Sequence, residues 1–192
     1  MENQHKSRIE LFRYNVILSS LFFLSSLFFL ATGLPNYNFR DLTFSEMSVF
    51  LTEQQLYVFN FLFVGKALLD LSFVFYVFKK FANKISLLTK ILWLLAVLSF
   101  GLIGFFPLHQ FYYTHWLLAT LMFFFWTILE PVMARATKSE GFIKFSYNLV
   151  FVQVSLIIAA FVFNWLNAVF ETVYFLLVFV WLIIFINRHL KV

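Results

Sequence analysis

Lys66 and Asp70 stand four residues apart inside an otherwise apolar run, one helical turn from each other on one face, which is the spacing of an ion pair. Three roles fit them: a structural bridge, an element that couples a proton or ion to movement, or an unpaired arrangement in which Lys66 snorkels or is neutralised by burial. A second set mixes oxygen and nitrogen: Asp41, Glu46, Glu53 and Glu171 with His109 and His115. An unperturbed carboxyl and imidazole titrate at roughly 4.3 and 6.5. Glu46 and His115 are therefore the candidate catalytic pair, one as base and the other as acid or orienting partner. The same set could supply an oxygen-and-nitrogen metal site, but no His-x3-His spacing on one helix is present, and no metal is expected. Glu130 lies about 22 Å from His115 along a helix, too far to share its site, and is expected to pair with Arg135 or a nearby Lys. No serine nucleophile elbow, phosphate-cradling glycine loop or zinc-protease helix occurs. The absence of cysteine removes disulfides and thiol chemistry. No cofactor is expected.

The elements that must position these groups follow from composition. Of 192 residues, 62% are hydrophobic and 12% charged, with a mean hydropathy of +0.89, whereas soluble domains carry about 25% charge. The 31 Phe, 8 Tyr and 5 Trp exceed what one soluble core of this length could hide. Most of the chain is therefore expected to be solvated by lipid, which excludes a soluble enzyme, a nucleic-acid reader and a disordered tail. Crossing about 30 Å of hydrocarbon takes roughly 20 apolar residues. Six segments qualify, at 14–33, 56–78, 91–106, 111–133, 145–164 and 168–186, and make residues 1–192 a single integral membrane domain. Residues 1–13 are polar and no small-residue cleavage site follows the first run, so that span is expected to stay as an anchor.

Charge orients the bundle. Twelve Lys and Arg fall on alternate loops and tails, including Lys6, Arg8 and Lys191, against Arg40 alone on the other side. The positive-inside rule then places both termini in the cytoplasm. The net charge of +5 is matched by anionic lipid of the inner leaflet rather than by nucleic acid.

The one long connection, 34–55, lies on the outer side. Thr43-Phe44-Ser45-Glu46 and Thr52-Glu53-Gln54-Gln55 both fit the capping box. Phe44, Met47 and Leu51 recur at helical spacing, so 43–51 is expected to be a short amphipathic helix in the outer interface. Two small and polar stripes mark helix faces: Asn15, Ser19, Ser26 and Gly33 in the first span, and Ser146, Gln153, Ala160 and Asn164 in the fifth. They suit either close helix packing or a lined cavity. The aromatic run 175–185 of span six is a candidate lipid face for partner helices.

The stretch 37–130 resembles the domain-of-unknown-function 998 family of small polytopic prokaryotic membrane proteins. The resemblance rests on Phe44-Ser45-Glu46-Met47 in the outer loop, on Phe59-Asn60 and Gly65 in span two, and on Gly104-Phe105-Phe106-Pro107 followed by His115 and an aromatic run to Phe125. The family pattern has an apolar residue near Lys66, so that charge is a departure. The group is loosely similar to Frag/DRAM/Sfk-type membrane proteins, some of which are linked to lipid remodelling or asymmetry. The resemblance draws attention to Ser45, Glu46, Asn60 and His115, all on the outer half.

The reading that follows is an all-α bundle of six transmembrane helices in a prokaryotic plasma membrane. It is expected to bind or modify a lipid headgroup in an outer polar pocket, with Glu46 and His115 catalytic and Ser45, Asn60 and His109 holding substrate. The alternatives are an accessory subunit packed on other membrane proteins, or a small transporter using Lys66 and Asp70.

Overall fold

The computed structural model describes residues 12–82 and 84–190; Lys6, Arg8 and Lys191 lie outside them. A 3-10 turn over Phe12–Tyr14 leads into six α-helices: α1 (Asn15–Thr32), α2 (Glu53–Lys80), α3 (Leu87–Ile103), α4 (Tyr112–Thr137), α5 (Glu140–Val162) and α6 (Ala168–His189). No strand occurs among the described residues. Each expected apolar segment coincides with one helix, and the ends differ by at most five residues. Five helices are long and apolar enough to cross a membrane, while α3 is shorter. Its 17 residues span about 26 Å. Three i→i+3 bonds, from Gly104, Phe105 and Phe106 to Gly101, Leu102 and Ile103, carry the apolar rod further. Phe22, Phe29, Phe61 and Phe151 are each more than 60% exposed on the outer surface. An apolar exterior of this extent belongs to a bundle embedded in lipid.

Helix ends are set by local chemistry. The Thr52 side chain accepts from Gln55 N–H and the Gln55 side chain reaches back, closing the expected capping box at the start of α2. Ser86 caps α3 and Asn167 caps α6. Just past α4 and α5, Lys138 and Asn164 adopt left-handed φ of 58° and 55°, which stops each helix.

Helices adjacent in sequence pack as neighbours, and α6 returns to touch α1 and α4, closing the bundle. Two glycines bring α3 onto α2: a Cβ at Gly101 would lie 2.6 Å from Ala67 Cβ, and one at Gly104 would lie 2.5 Å from the Asn60 carbonyl oxygen. Small residues at a crossing allow this approach. Both polar stripes serve largely as packing faces. Asn15 Nδ2 donates to Ser72 Oγ at 2.7 Å, and Ser19 Oγ to Asp70 Oδ1 at 2.7 Å. Ser146, Gln153 and Ala160 are buried, Ser146 accepting from Trp181 Nε1 at 2.8 Å, whereas Gly33 and Asn164 at the stripe ends are exposed.

Two expectations need correction. Residues 43–51 form only one 3-10 turn, Glu46–Val49, and Phe44 and Met47 are buried in the bundle rather than laid in the interface. The cause is a clamp: Ala168 and Val169 N–H donate to the carbonyls of Leu42 and Phe39, and Asn167 Nδ2 to that of Arg40. The free N-terminal donors of α6 thus hold the connection down over the bundle. Two aromatics of the run 175–185 also turn inward, Trp181 and Phe185 at 0% exposed, while Phe175 and Phe179 are half-buried. Trp181 stacks on Phe185, 5.1 Å between centroids, and the two rings meet Phe142 of α5 and Trp93 of α3, so this part of the run packs on the chain's own helices.

Candidate functional site

The helices leave two chemically different ends. One collects the basic residues at the turns 81–86 and 138–139; the other carries the long 33–51 connection and the turns 104–111 and 163–167. At this second, loop end, His115 opens α4 and is 2% exposed. Its Nδ1 lies 2.8 Å from the Phe106 carbonyl oxygen. A carbonyl only accepts, so Nδ1 carries the proton and donates it. Nε2 is then a lone-pair acceptor, and it is buried without a partner. The turn after α3, seated against α2 at Gly104, is what supplies that carbonyl.

Across from His115 stands Glu171, in the first turn of α6, where the helix N-terminus favours a carboxylate. Its Oε2 accepts from Phe44 N–H at 2.7 Å, tying it to the clamped connection. His115, Glu171, Thr43, Ser45 and Trp116 line a cavity of about 30 Å³. A second void of about 20 Å³, lined by Ser45, Glu171 and apolar side chains of α1 to α4, adjoins it. Such volumes admit one or two waters each. The indole N–H of Trp116 is a further buried donor without a partner. A fixed-tautomer imidazole acceptor and a carboxylate therefore line a water-sized, mostly apolar space beside an unpartnered indole donor, an arrangement suited to moving a proton to or from a bound hydroxyl or water.

Phe170 forms one wall of the His115 cavity and also borders a larger groove of about 350 Å³ between α5 and α6. That groove is walled by Leu156, Ala159, Ala160 and Val169 and rimmed by Arg40, Trp165 and Asn167.

No family model, no curated protein and no solved structure matches the chain.

The structure sorts the sequence-predicted residues. His115 and Ser45 line the cavity. Glu46 does not: its Oε2 accepts from Thr43 N–H at 2.7 Å and Thr43 Oγ1 at 3.0 Å, while its own N–H donates to Thr43 Oγ1, so the capping box occupies it. Asn60 is half-buried outside the cavity, its carbonyl against Gly104. His109 is exposed in the turn before α4. Lys66 and Asp70 pair as their spacing suggests, with Ser19 on the second carboxylate oxygen and the Phe100 ring 5.1 Å from Lys66 Nζ. Glu130 takes Gln153 as its partner, whose Nε2 donates to Oε1 at 2.9 Å, instead of Arg135, which donates to Tyr147. Among the described residues no three His, Asp or Glu side chains gather as metal ligands would.

Sequence reasoning placed Glu171 in the outer set with His115 but chose Glu46 as its partner, and it did not consider Trp116. The available signals were an acid in the first turn after the Asn167 cap and an indole beside the histidine. Below the clamp, Tyr37 donates to the Thr43 carbonyl at 3.1 Å. Burial and the neighbouring Glu171 and Glu46 carboxylates push its phenol well above the ordinary tyrosine range.

Proposed function

We propose that this is a six-span protein of a prokaryotic plasma membrane, with both termini cytoplasmic, that binds an anionic phospholipid headgroup at its outer face and performs acid–base chemistry on it. Membership of the domain-of-unknown-function 998 family is part of the same reading. Support for the orientation comes from charge: among the described residues Arg40 is the lone Lys or Arg at the loop end, whereas Lys79, Lys80, Lys84, Lys90, Arg135, Lys138 and Lys144 lie near the other. The turn that lengthens α3 supports a third crossing alongside the five longer helices.

The observation that carries the reading is the shared wall at Phe170. On one side is the groove of about 350 Å³, mostly apolar and headed by Arg40, whose backbone is fixed by Asn167. On the other is the His115 and Glu171 cavity. An acyl chain lies along Leu156, Ala159 and Val169, and its phosphate pairs with the Arg40 guanidinium. Rotation of Phe170 brings the headgroup against His115 Nε2, which accepts a proton while Glu171 orients the donor. At rest the cavity is too small for a headgroup, so this movement gates the chemistry.

Nanodiscs of phosphatidylcholine with and without phosphatidylglycerol test it, with retained lipid read by native mass spectrometry. A charge-assisted contact contributes about 1.5–3 kcal/mol, so Arg40→Ala should lose at least about tenfold of the phosphatidylglycerol preference. Equal retention by wild type and Arg40→Ala would overturn the binding site. Any change in lipid mass produced by the wild type should vanish in His115→Ala and Glu171→Gln; a change that persists in both would overturn the acid–base assignment.

A further inference from the structure

Glu130 and Gln153 are both 0% exposed, on α4 and α5, and neither takes part in the loop-end site. One hydrogen bond joins them, Gln153 Nε2 to Glu130 Oε1 at 2.9 Å. The two atoms left over, Glu130 Oε2 and Gln153 Oε1, are each buried with no partner. With Glu130 ionised, both are acceptors and nothing donates to either. Two unmet acceptors on a joined pair, one of them on a charged group inside a lipid-embedded bundle, are costly.

No cation relieves that cost. The helices packed on α4 are α3, α5 and α6. From α3 the titratable group is Lys90, in its first turn toward the basic end. From α5 come Glu140, Lys144 and Tyr147, all exposed. Tyr174 of α6 has its hydroxyl engaged with Thr127 Oγ1 at 2.8 Å and the Phe123 carbonyl at 2.9 Å; Glu171 belongs to the loop end, and Arg188 and His189 close the helix at the other. On α4 itself Arg135 donates to Tyr147. His115 lies four turns away.

A single proton resolves both unmet atoms. Placed on Glu130 Oε2, it turns an acceptor into a donor, and the acceptor it needs is Gln153 Oε1 on the same amide. The carboxylic acid and the carboxamide then close a ring of two hydrogen bonds between α4 and α5. Turning the amide round exchanges only which carboxyl oxygen holds the proton.

We propose that Glu130 is a proton-binding site within the bundle, holding its proton at neutral pH in a cyclic acid–amide pair with Gln153 that joins α4 to α5. Release of the proton leaves two facing acceptors and loosens that joint, so proton occupancy and α4–α5 packing are coupled.

Infrared difference spectroscopy on the full chain in phosphatidylcholine nanodiscs tests this at neutral pH. The wild type should show a protonated side-chain carboxyl C=O band that shifts in heavy water and is lost in Glu130→Gln. That variant should keep its fold and melting temperature, because two amides close the same ring. Absence of any protonated carboxyl band that distinguishes wild type from Glu130→Gln would overturn the proposal. Gln153→Ala gives a second measurement, independent of whether Glu130→Gln folds. Losing the amide should move the band to higher frequency, toward that of a free acid. A band that stays in place would assign the proton to another carboxyl and overturn the pair.

Discussion

Asn15, Ser19, Lys66 and Asp70 along the α1–α2 seam meet polar partners, whereas two ring nitrogens beneath the 33–51 connection do not. In the seam, Asn15 bonds Ser72, Ser19 bonds one oxygen of Asp70, and Lys66 takes the other. At the loop end His115 Nε2 and Trp116 Nε1 are buried with nothing to bond, beside two small voids. Both regions place expensive groups in a lipid-embedded bundle. The first uses them as a joint between helices; the second leaves two of them without a partner. Unmet hydrogen-bonding capacity, more than the presence of charge, is what distinguishes the His115 end from the Lys66–Asp70 pair.

The hardest test of that distinction is Asp70→Ala. If the pair is a joint, removing one partner strands Lys66 and should cost about 3 kcal/mol, read as a lowered midpoint of thermal unfolding in detergent micelles. The double variant Lys66→Met with Asp70→Leu removes both charges and should recover to within about 1 kcal/mol of wild type, since the Ser19 hydroxyl still reaches the Val16 carbonyl. Failure of the double variant to recover would show that the charges do more than hold α1 to α2, and would favour an ion-coupling role.

Glycine positions sharpen the comparison next. Gly101→Ala and Gly104→Ala each push a methyl into α2 and should cost about 1–3 kcal/mol. Gly104 caps α3 at the turn whose Phe106 carbonyl meets His115, whereas Gly101 lies within the helix. The imidazole 15N spectrum should therefore show loss of the single Nδ1–H tautomer in Gly104→Ala and its retention in Gly101→Ala. Identical spectra from the two would mean that the carbonyl is held by something other than this close approach.

A smaller contrast uses one residue type in both settings. Trp181 Nε1 donates to Ser146 Oγ, so Trp181→Phe should destabilise by about 1 kcal/mol. Trp116 Nε1 has no such bond, so Trp116→Phe should stay within about 0.5 kcal/mol of wild type. Chemical unfolding followed by circular dichroism measures both. Equal losses would erase the proposed difference between the regions.

How much of this was legible in the sequence follows the same division. The six apolar segments and the Thr52–Gln55 and Thr43–Glu46 capping boxes depend on neighbours within one turn, and periodicity and spacing carry that information. Lys66 and Asp70 were readable for the same reason. Which carboxylate faces His115 was not, because it depends on the 33–51 connection docking on a helix more than a hundred residues later, where Glu171 meets Phe44 and Asn167 meets Arg40. Local logic promoted Glu46, and that logic also explains why Glu46 is occupied by its own cap. The inward turn of Trp181 and Phe185 was hidden differently. Lipid tails and a protein interior are equally apolar, so an aromatic stripe does not declare which of the two it meets. The Glu130–Gln153 contact joins α4 to the polar stripe of α5, in a register that only the packed helices reveal.

Tyr37 supplies the smallest effect and the one with a sign that pH can check. Its hydroxyl holds the Thr43 carbonyl beneath the clamped connection. Burial and the Glu171 and Glu46 carboxylates raise its pKa above the ordinary tyrosine value of 10.0. A raised acid contributes stability that is fully present below the unfolded value and is lost as pH climbs beyond it. Stability should therefore be flat with respect to this group up to about pH 10 and fall above it. Tyr37→Phe should cost about 1 kcal/mol at neutral pH through the lost hydrogen bond, and should remove that part of the alkaline decline. Because the group couples the Thr43 carbonyl to Glu171, the decline should also shrink in Glu171→Gln, where one of the two repelling carboxylates is neutral. An alkaline slope untouched by either variant would place the carboxylates too far from Tyr37 to act on it, and would detach the clamp from the cavity beside His115.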